Sequence, residues 1–277
     1  MSSGNNIKRM KLYRHPERIY KEIAAAGYKE NSPLKEKDIA SFDQYHYLGV
    51  NAVDDVIGCL KIDSQSRLID IGSGLGGPAR YLAEKTGCQV TAVEFQPEMH
   101  HIACSLTERC DLSGSVHHLC ADILDFPEKG SNFDAVVSWL AFLHIPNRSS
   151  LLRKCCKILK PGGKMFIEDF YKRGEFNQEE ARILSEDVQC PYLPALEEYK
   201  NQLIENNFTK VDLIDKTGCW NDFVRERVEK FIGNRKRYTG MCGIKVTEEI
   251  EDFYKKILQL FNNGNLGGLR IIAVKDF

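Results

Sequence analysis

A buried strand, a glycine-rich turn and a helix start follow one another directly near residue 70. Leu68–Ile71 is the apolar strand run, and Pro78 suits the first turn of a helix. Between them stand Gly72, Gly74 and Gly77. Glycine lets a ligand approach the main chain closely, and a helix N-terminus presents unpaired N–H groups. The segment therefore predicts a nucleotide-cofactor site, and its G-x-G-x-x-G spacing alone also fits a dinucleotide.

Short apolar runs alternate with helical periods along most of the chain, which predicts an α/β fold with a doubly wound sheet. Seven strands are predicted, at residues 68–71, 89–94, 115–120, 133–138, 164–169, 210–216 and 269–274. Helices are predicted at residues 16–26, 50–60, 78–85, 97–111, 149–159, 196–206, 223–235 and 246–261.

We expect one domain over residues 1–277. Within it, residues 1–60 are predicted to form an N-terminal helical lid segment and residues 61–170 the cofactor-binding core. Residues 171–192 and 218–268 interrupt the alternation and are predicted to be cap insertions. Ligands bind beyond the carboxyl ends of the strands in open α/β sheets, so an insertion after the fifth strand could cover the cofactor.

Composition excludes several classes of partner. The 38 basic and 39 acidic residues leave a net charge of -1, without the cationic excess of a nucleic-acid-binding protein. No apolar run is long enough for a membrane span, and the polar start lacks the apolar core of a signal peptide. Ten cysteines form no C-x-x-C pair, and no set of His, Cys and acidic residues has metal-ligand spacing. We therefore expect a cytoplasmic monomer or homodimer with no metal site.

Four motifs in order resemble those of class I S-adenosylmethionine-dependent methyltransferases. Asp70 turns the glycine spacing into D-x-G-x-G-x-G, Glu94 ends the second strand, and Asp122-Ile123 follow the third. Lys160-Pro161-Gly162-Gly163 leads into the fifth strand. The resemblance covers roughly residues 60–170. It implies a Rossmann-like sheet of seven strands whose last strand lies antiparallel beside the fifth.

The same resemblance implies S-adenosylmethionine as cofactor and S-adenosylhomocysteine as product. Glu94 would bind the ribose, and Asp122 would face the adenine amino group. The full set of cofactor-binding residues that we predict is Gln44, Asp70, Gly72, Ser73, Gly74, Glu94, Phe95, Gln96, Asp122, Ile123 and Trp139.

The methyl acceptor is less closely defined. Residues 73–83 most resemble the branch of sarcosine and dimethylglycine N-methyltransferases, with phosphoethanolamine N-methyltransferases and sterol C-methyltransferases as wider relatives. In that branch an aromatic stretch ahead of the first strand closes over the cofactor, and residues 42–47 occupy that place. Tyr45 and His46 are therefore catalytic candidates, with Gln44 as a partner for the methionine end. His144, in the segment after the fourth strand, is a third candidate, and Trp139 stands beside it.

Several alternatives remain open at this stage. His144 and the aromatic stretch could instead be structural, and Arg80 could be a carboxylate anchor or a salt-bridge partner on a helix surface. We expect N-methylation of an amino acid or an ethanolamine-like amine. The alternatives are C-methylation of a sterol-like lipid and a catalytically weak regulatory module that binds the cofactor.

Overall fold

The computed structural model describes residues 10–129 and 132–276, and a seven-stranded sheet forms its centre. The strands are β1 (Arg67–Ile71), β2 (Gln89–Glu94), β3 (Val116–Cys120), β4 (Phe133–Trp139), β5 (Leu159–Lys172), β6 (Phe208–Asp215) and β7 (Leu266–Lys275). Their order in the sheet is β3-β2-β1-β4-β5-β7-β6. Strands β1 to β5 pair in parallel, whereas β7 is antiparallel to both β5 and β6. The predicted fold and the antiparallel last strand are confirmed.

Helices cover both faces of this sheet and one end of it. They are α1 (Arg18–Ala25), α2 (Glu36–Asp43), α3 (Val50–Leu60), α4 (Gly77–Thr86), α5 (Pro97–Arg109), α6 (Arg148–Ile158), α7 (Gln178–Arg182), α8 (Leu196–Glu205), α9 (Thr217–Gly233), α10 (Arg235–Cys242) and α11 (Ile244–Asn263). Two 3-10 turns at Ile123–Asp125 and Phe142–His144 follow β3 and β4, and a π-helical turn at Ile183–Asp187 follows α7.

The core has one layer on each face of the sheet. On one face, α6 and α8 pack through residues such as Leu152 and Tyr199, and on the other, α3 and α4 pack through Val53 and Leu82. Parallel strands covered on both faces read as continuous apolar runs, because neither face meets water. This explains why the central strands could be predicted from sequence.

The lid segment and the cap insertions pack together beyond the strand ends. One cluster joins Tyr47 and Leu143 to Phe253 and Ile257 of α11. A second cluster joins α1 and α2 to the first turns of the core, with Ile39 packed beside Leu75. The region above the glycine turn is therefore built from segments distant in sequence.

Helix α2 is not among the helices predicted from sequence. Its buried positions include the acidic residues Glu36 and Asp43 besides Ile39, so its inward face does not read as apolar. Strand β7 is also longer than predicted, with Gly267 and Gly268 inside it. A Cβ on either glycine would lie 2.2 Å from an aromatic ring carbon, so ring packing requires both glycines.

Candidate active site

The turn after β1 folds back tightly over the end of β2. The N–H groups of Gly72 and Ser73 both donate to the carbonyl of Val93, at 2.9 and 3.1 Å. Gly72 has φ +73°, and a Cβ there would lie 2.2 Å from the Cβ of Ala141. Gly74 has φ +55°. These positive φ angles favour glycine and leave the main chain open to a ligand.

Glu94 ties the glycine turn to the start of α5. Its Oε2 accepts a hydrogen bond from Gly74 N at 2.8 Å, and its Oε1 accepts one from Gln96 N at 2.8 Å. Burial raises the pKa of the Glu94 carboxyl to about 7. Each carboxylate oxygen has a second lone pair, so Glu94 can still accept hydrogen bonds from ligand hydroxyls.

Asp70 lies behind the same turn and is almost completely buried. Burial, reinforced by the nearby Glu94, raises the pKa of its carboxyl to about 8. Neither Asp70 Oδ2 nor Ser73 Oγ has a hydrogen-bond partner among the described residues. Buried polar atoms are normally paired. A ligand that brings hydroxyl groups and a cationic ammonium group would pair these atoms and favour the ionised carboxylates.

The segment directly after β3 supplies a further carboxylate beside the glycine turn. Asp122 Oδ1 accepts a hydrogen bond from Leu124 N at 2.9 Å and thereby caps the turn Ile123–Asp125. Phe95, Gln96 and Ile123 line the cavity beside it. The result is a cleft with an apolar floor and an acidic edge, which suits a purine with an exocyclic amino group.

All predicted site residues except Gln44 line this one cavity, which we call the reaction cavity. Gln44 instead lines a neighbouring cavity, described below. Tyr45, His46, Trp139 and His144, which were predicted from sequence to surround the methyl acceptor, all line the reaction cavity. The ring centroids of His46 and Trp139 lie 5.4 Å apart.

One hydrogen bond fixes the neutral tautomer of each histidine, His46 and His144. His46 Nε2 lies 3.0 Å from the carbonyl oxygen of Gly49, and His144 Nδ1 lies 3.0 Å from that of Gln189. Because a carbonyl oxygen only accepts, each of these ring nitrogens must carry a proton. The other nitrogen, Nδ1 of His46 and Nε2 of His144, keeps a lone pair. Burial lowers the pKa of each imidazole to about 4, so both are unprotonated bases at neutral pH.

Asp169, at the end of β5, fixes the turn that carries His144. Its Oδ1 accepts from Leu143 N at 3.2 Å, and its Oδ2 accepts from Tyr199 Oη at 3.1 Å and from Arg148 at 3.3 Å. Asp169 is fully buried. Asp169 was not predicted as a site residue, although the acidic pair Glu168-Asp169 directly after the apolar run Met165-Phe166-Ile167 was a usable signal.

Arg227, from α9, is the second residue that the sequence analysis missed. It donates to the carbonyls of His46 at 2.9 Å and Tyr45 at 3.4 Å, and its guanidinium lies 4.6 Å from the ring centroid of Phe223. Within residues 10–129 and 132–276, no carboxylate forms an ion pair with it. Arg227 therefore places an uncompensated cation in the wall of the reaction cavity.

Arg80 is neither a carboxylate anchor in the cavity nor a residue of a helix surface. Its side chain is fully buried and forms an ion pair with Asp43 of α2 at 2.7 Å. A Cβ at Gly77 would lie 2.8 Å from Asp43 Oδ1 and from the Asp43 carbonyl, so α2 approaches the start of α4 closely. This pair fixes the lid segment directly behind the glycine turn.

Two features are absent from the described ranges, 10–129 and 132–276. No helix there is long and apolar enough to cross a membrane. No group of three or more His, Cys, Asp or Glu side chains in those ranges is arranged to hold a metal ion.

Comparisons with known proteins agree with this geometry. Residues 69–167 match the family model described as a methyltransferase domain. The chain is 28% identical over 212 residues to the phosphoethanolamine N-methyltransferase of Plasmodium falciparum, an alignment covering 75% of this chain and 78% of that protein. It is 22% identical over 231 residues to the glycine/sarcosine/dimethylglycine N-methyltransferase of Actinopolyspora halophila, covering 83% of this chain and 40% of that protein.

Among solved structures, phosphoethanolamine N-methyltransferase 2 of Haemonchus contortus, in complex with phosphomonomethylethanolamine and S-adenosylhomocysteine, has a TM-score of 0.82. The match has 21% sequence identity and covers 100% of this chain and 61% of that chain. This chain therefore spans less than two thirds of the Haemonchus and Actinopolyspora proteins.

Proposed function

We propose that this chain, whose residues 69–167 match a methyltransferase domain, is an S-adenosylmethionine-dependent methyltransferase and that it N-methylates a small amine carrying an anionic group. The observation that carries the proposal is the pair of neutral, buried histidines on the acceptor wall. His46 and His144 each keep one ring nitrogen with a free lone pair, as an amine acceptor requires.

The cofactor contacts follow from the unpaired groups of the glycine turn. We propose that Glu94 binds the ribose hydroxyls, that Asp70 and Ser73 serve the methionine end, and that Asp122 faces the adenine amino group. Gly72 and Gly74 leave space for these contacts. When bound, S-adenosylmethionine supplies an electrophilic methyl group on a sulfonium and leaves as S-adenosylhomocysteine.

The protein must orient the acceptor, exclude water and keep the amine in its neutral form. An ammonium group has no lone pair, so a proton must leave before the nitrogen attacks. We propose that His144 Nε2 accepts this proton, with His46 Nδ1 as a second acceptor site. Tyr45 and Trp139 exclude water and present aromatic faces to a cationic methyl group.

Arg227 supports the proposal that the acceptor carries an anionic group. Its guanidinium has no carboxylate partner among the described residues, and it lines the same cavity as the two histidines. Phosphoethanolamine, glycine and sarcosine, which appear in the names of the relatives, are amines with a phosphate or a carboxylate. An arginine can bind either anion through two parallel hydrogen bonds.

Calorimetric titration with S-adenosylhomocysteine tests the cofactor contacts. Glu94→Ala removes charge-assisted hydrogen bonds to two hydroxyls, so we expect binding to weaken by about 10- to 100-fold. Glu84→Ala, an exposed position on α4, is the matched control and should bind like the parent. Equal affinity in the Glu94→Ala and parent proteins would refute the assignment of the ribose site.

A panel of acceptors tests the substrate class. Glycine, sarcosine, dimethylglycine, ethanolamine and phosphoethanolamine would be incubated with methyl-labelled cofactor, beside a sterol and an unsaturated fatty acid. We expect label only in amines that carry a carboxylate or phosphate, with ethanolamine a poor acceptor because it lacks an anion for Arg227. Label confined to a lipid would refute N-methylation.

The cap gives one specific reason to keep a second candidate. Val188, Val224, Phe253 and Ile257 line the reaction cavity, and all four are apolar. They favour an acceptor with an apolar body, as in C-methylation of a lipid. The lipid arm of the panel separates the two candidates.

The remaining features of the proposal concern organisation. We propose that residues 1–60 act as the lid, residues 61–170 as the cofactor-binding core, and residues 171–192 and 218–268 as the cap. We also propose that the chain acts on free small molecules rather than on nucleic acid, in the cytoplasm, as a monomer or homodimer.

A further inference from the structure

A second cavity of about 690 Å³ lies beside the reaction cavity, and we call it the lid cavity. Helices α1 and α2 form one side of it, and α9, α10 and α11 form the other. Leu12, Tyr45, Arg227 and Tyr254 line both cavities, so the two share a wall. Of the residues that line the lid cavity, the proposed methyl transfer uses only Tyr45 and Arg227, which lie in the shared wall.

The charges that line the lid cavity are not balanced. Its basic residues are Arg18, Lys37, Arg227, Lys230 and Arg237, and its acidic residues are Glu22 and Glu226. Each acid already has a partner, because Glu22 pairs with Arg237 at 2.9 Å and Glu226 with Lys230 at 3.1 Å. Three cations therefore lack an acidic partner within the part of the chain that the structure describes.

Two of these cations are held in place by neutral groups. Arg18 donates to the carbonyl of Leu12 at 2.8 Å, and its guanidinium lies 5.0 Å from the ring centroid of Tyr45. Arg227 donates to two main-chain carbonyls, as described above. Both guanidinium groups are partly buried, and each has more N–H donors than these bonds use. Each guanidinium group therefore has a fixed orientation and no acidic partner among the described residues.

A buried amide adds an independent observation. Gln44 lines the lid cavity and is 8% exposed, yet neither its Oε1 nor its Nε2 has a hydrogen-bond partner among the described residues. An unpaired buried amide costs free energy, so such groups normally meet a ligand or water. The rest of the wall is mainly apolar and includes several aromatic rings, with Tyr238 stacked on Phe231 at 4.4 Å between ring centroids.

We propose that the lid cavity is a second binding site, for a small organic anion with a planar or apolar body. Arg18 would bind its phosphate or carboxylate, the Gln44 amide would bind a polar group, and aromatic rings such as Phe231 and Tyr238 would pack against its body. This site does not depend on which acceptor is methylated. A ligand held there would adjoin Tyr45, whose carbonyl Arg227 also binds.

Binding of phenyl phosphate to protein saturated with S-adenosylhomocysteine tests the proposal by calorimetry. Benzoate, inorganic phosphate and phenol are the other ligands, so that the contributions of the anion and of the ring are measured separately. We expect phenyl phosphate or benzoate to bind at millimolar concentrations or below, more tightly than inorganic phosphate, with no detectable binding of phenol.

Three variants locate the site. Arg18 lines the lid cavity and not the reaction cavity, so Arg18→Gln should weaken binding at least tenfold, by about the value of one charge-assisted hydrogen bond. The side chain of Lys37 is exposed, so Lys37→Gln should leave the fold intact. It should weaken binding about two- to threefold. Arg225→Gln is the matched control, because Arg225 lies on α9 outside both cavities, and it should leave binding unchanged.

No binding of either aromatic anion to the parent protein would overturn the proposal. So would binding that Arg18→Gln and Lys37→Gln leave unchanged, or an equal loss in Arg225→Gln. The measurement involves no methyl transfer, so a failure of the proposed N-methylation would appear in the acceptor panel and not here.

Discussion

Replacement of Asp43 by asparagine should destabilise the protein by about 3–5 kcal/mol, because it leaves a buried guanidinium without its carboxylate. Both side chains of the Asp43–Arg80 pair are fully buried, and the two charged groups are 2.7 Å apart. The other contacts of Arg80, to Thr107 Oγ1 at 3.1 Å and to the carbonyl of Ala103 at 3.4 Å, are with neutral groups. These neutral groups cannot neutralise the Arg80 charge that Asp43→Asn leaves unpaired.

The magnitude can be separated into a pair interaction and a packing cost with a double-mutant cycle. Arg80→Met keeps the apolar stem of the side chain and leaves Asp43 as the unpaired charge. The double variant Asp43→Asn/Arg80→Met leaves no charge unpaired. We therefore expect the double variant to be more stable than the sum of the two single changes predicts, by about 1–3 kcal/mol.

Urea unfolding at pH 7 measures all four proteins. Asp54→Asn is the control, because its ion pair with Lys85 has exposed partners, 40% and 47% accessible, and should contribute at most about 1 kcal/mol. If Asp43→Asn costs no more than Asp54→Asn, or if the two changes at the buried pair are additive, the pair does not fix the lid and this reasoning is wrong.

Three further outcomes are expected at the reaction cavity. Gly72→Ala adds a Cβ to a residue with φ +73°, and that Cβ would lie 2.2 Å from the Cβ of Ala141, so binding of S-adenosylhomocysteine should fall by at least about tenfold. Gly58 has open space around it, so Gly58→Ala is the control and should bind normally. Equal binding by the two variants would contradict the strained turn. His144→Gln should lower kcat by about 10²- to 10⁴-fold with little change in the calorimetric affinity for S-adenosylhomocysteine, and an unchanged kcat would exclude His144 as the base. The pKa of Glu94 is raised from 4.5 to about 7, so its contribution to the stability of the ligand-free protein should fall as the pH rises from 4.5 through 7. S-adenosylhomocysteine, which needs the carboxylate, should bind more weakly by up to tenfold for each pH unit below 7. Glu94→Gln should reduce both trends in urea unfolding and calorimetry, with the remainder due to Asp70, whose pKa is raised to about 8; unchanged trends would contradict the role of Glu94.

The part of the site that could be predicted from sequence is the part that strand ends and glycines define. Asp70, Glu94 and Asp122 each end or follow a strand that was predicted from sequence, so their meeting at one edge of the sheet follows from the order of parallel strands. Strand and turn patterns in the sequence were enough to predict the positions of these three residues, because each residue is positioned by the strand that it ends or follows.

The acceptor side could be predicted only in part, because its contacts join distant segments. Tyr45, His46 and His144 were predicted from their place in the chain and do line the cavity. Nothing in the sequence links Arg227 to the Tyr45 carbonyl, since 182 residues separate them. Gln44 was predicted beside the cofactor, yet its side chain lines the lid cavity, one residue away from Tyr45, which lines both.

Two contacts of the lid segment explain why the cofactor side of this site could be predicted from sequence more completely than the acceptor side. Asp43 fixes the lid to α4 of the core through Arg80, and the next residues of the lid, at Tyr45 and His46, are fixed to α9 of the cap through Arg227. The position of His46 therefore depends on the core and on the cap at once. A change in the cap can move the acceptor wall while the glycine turn and Glu94 stay in place. Residues 69–167, which match the family model, contain Trp139 and His144 but neither Arg227 nor the lid, so part of the wall of the reaction cavity lies outside the matched domain.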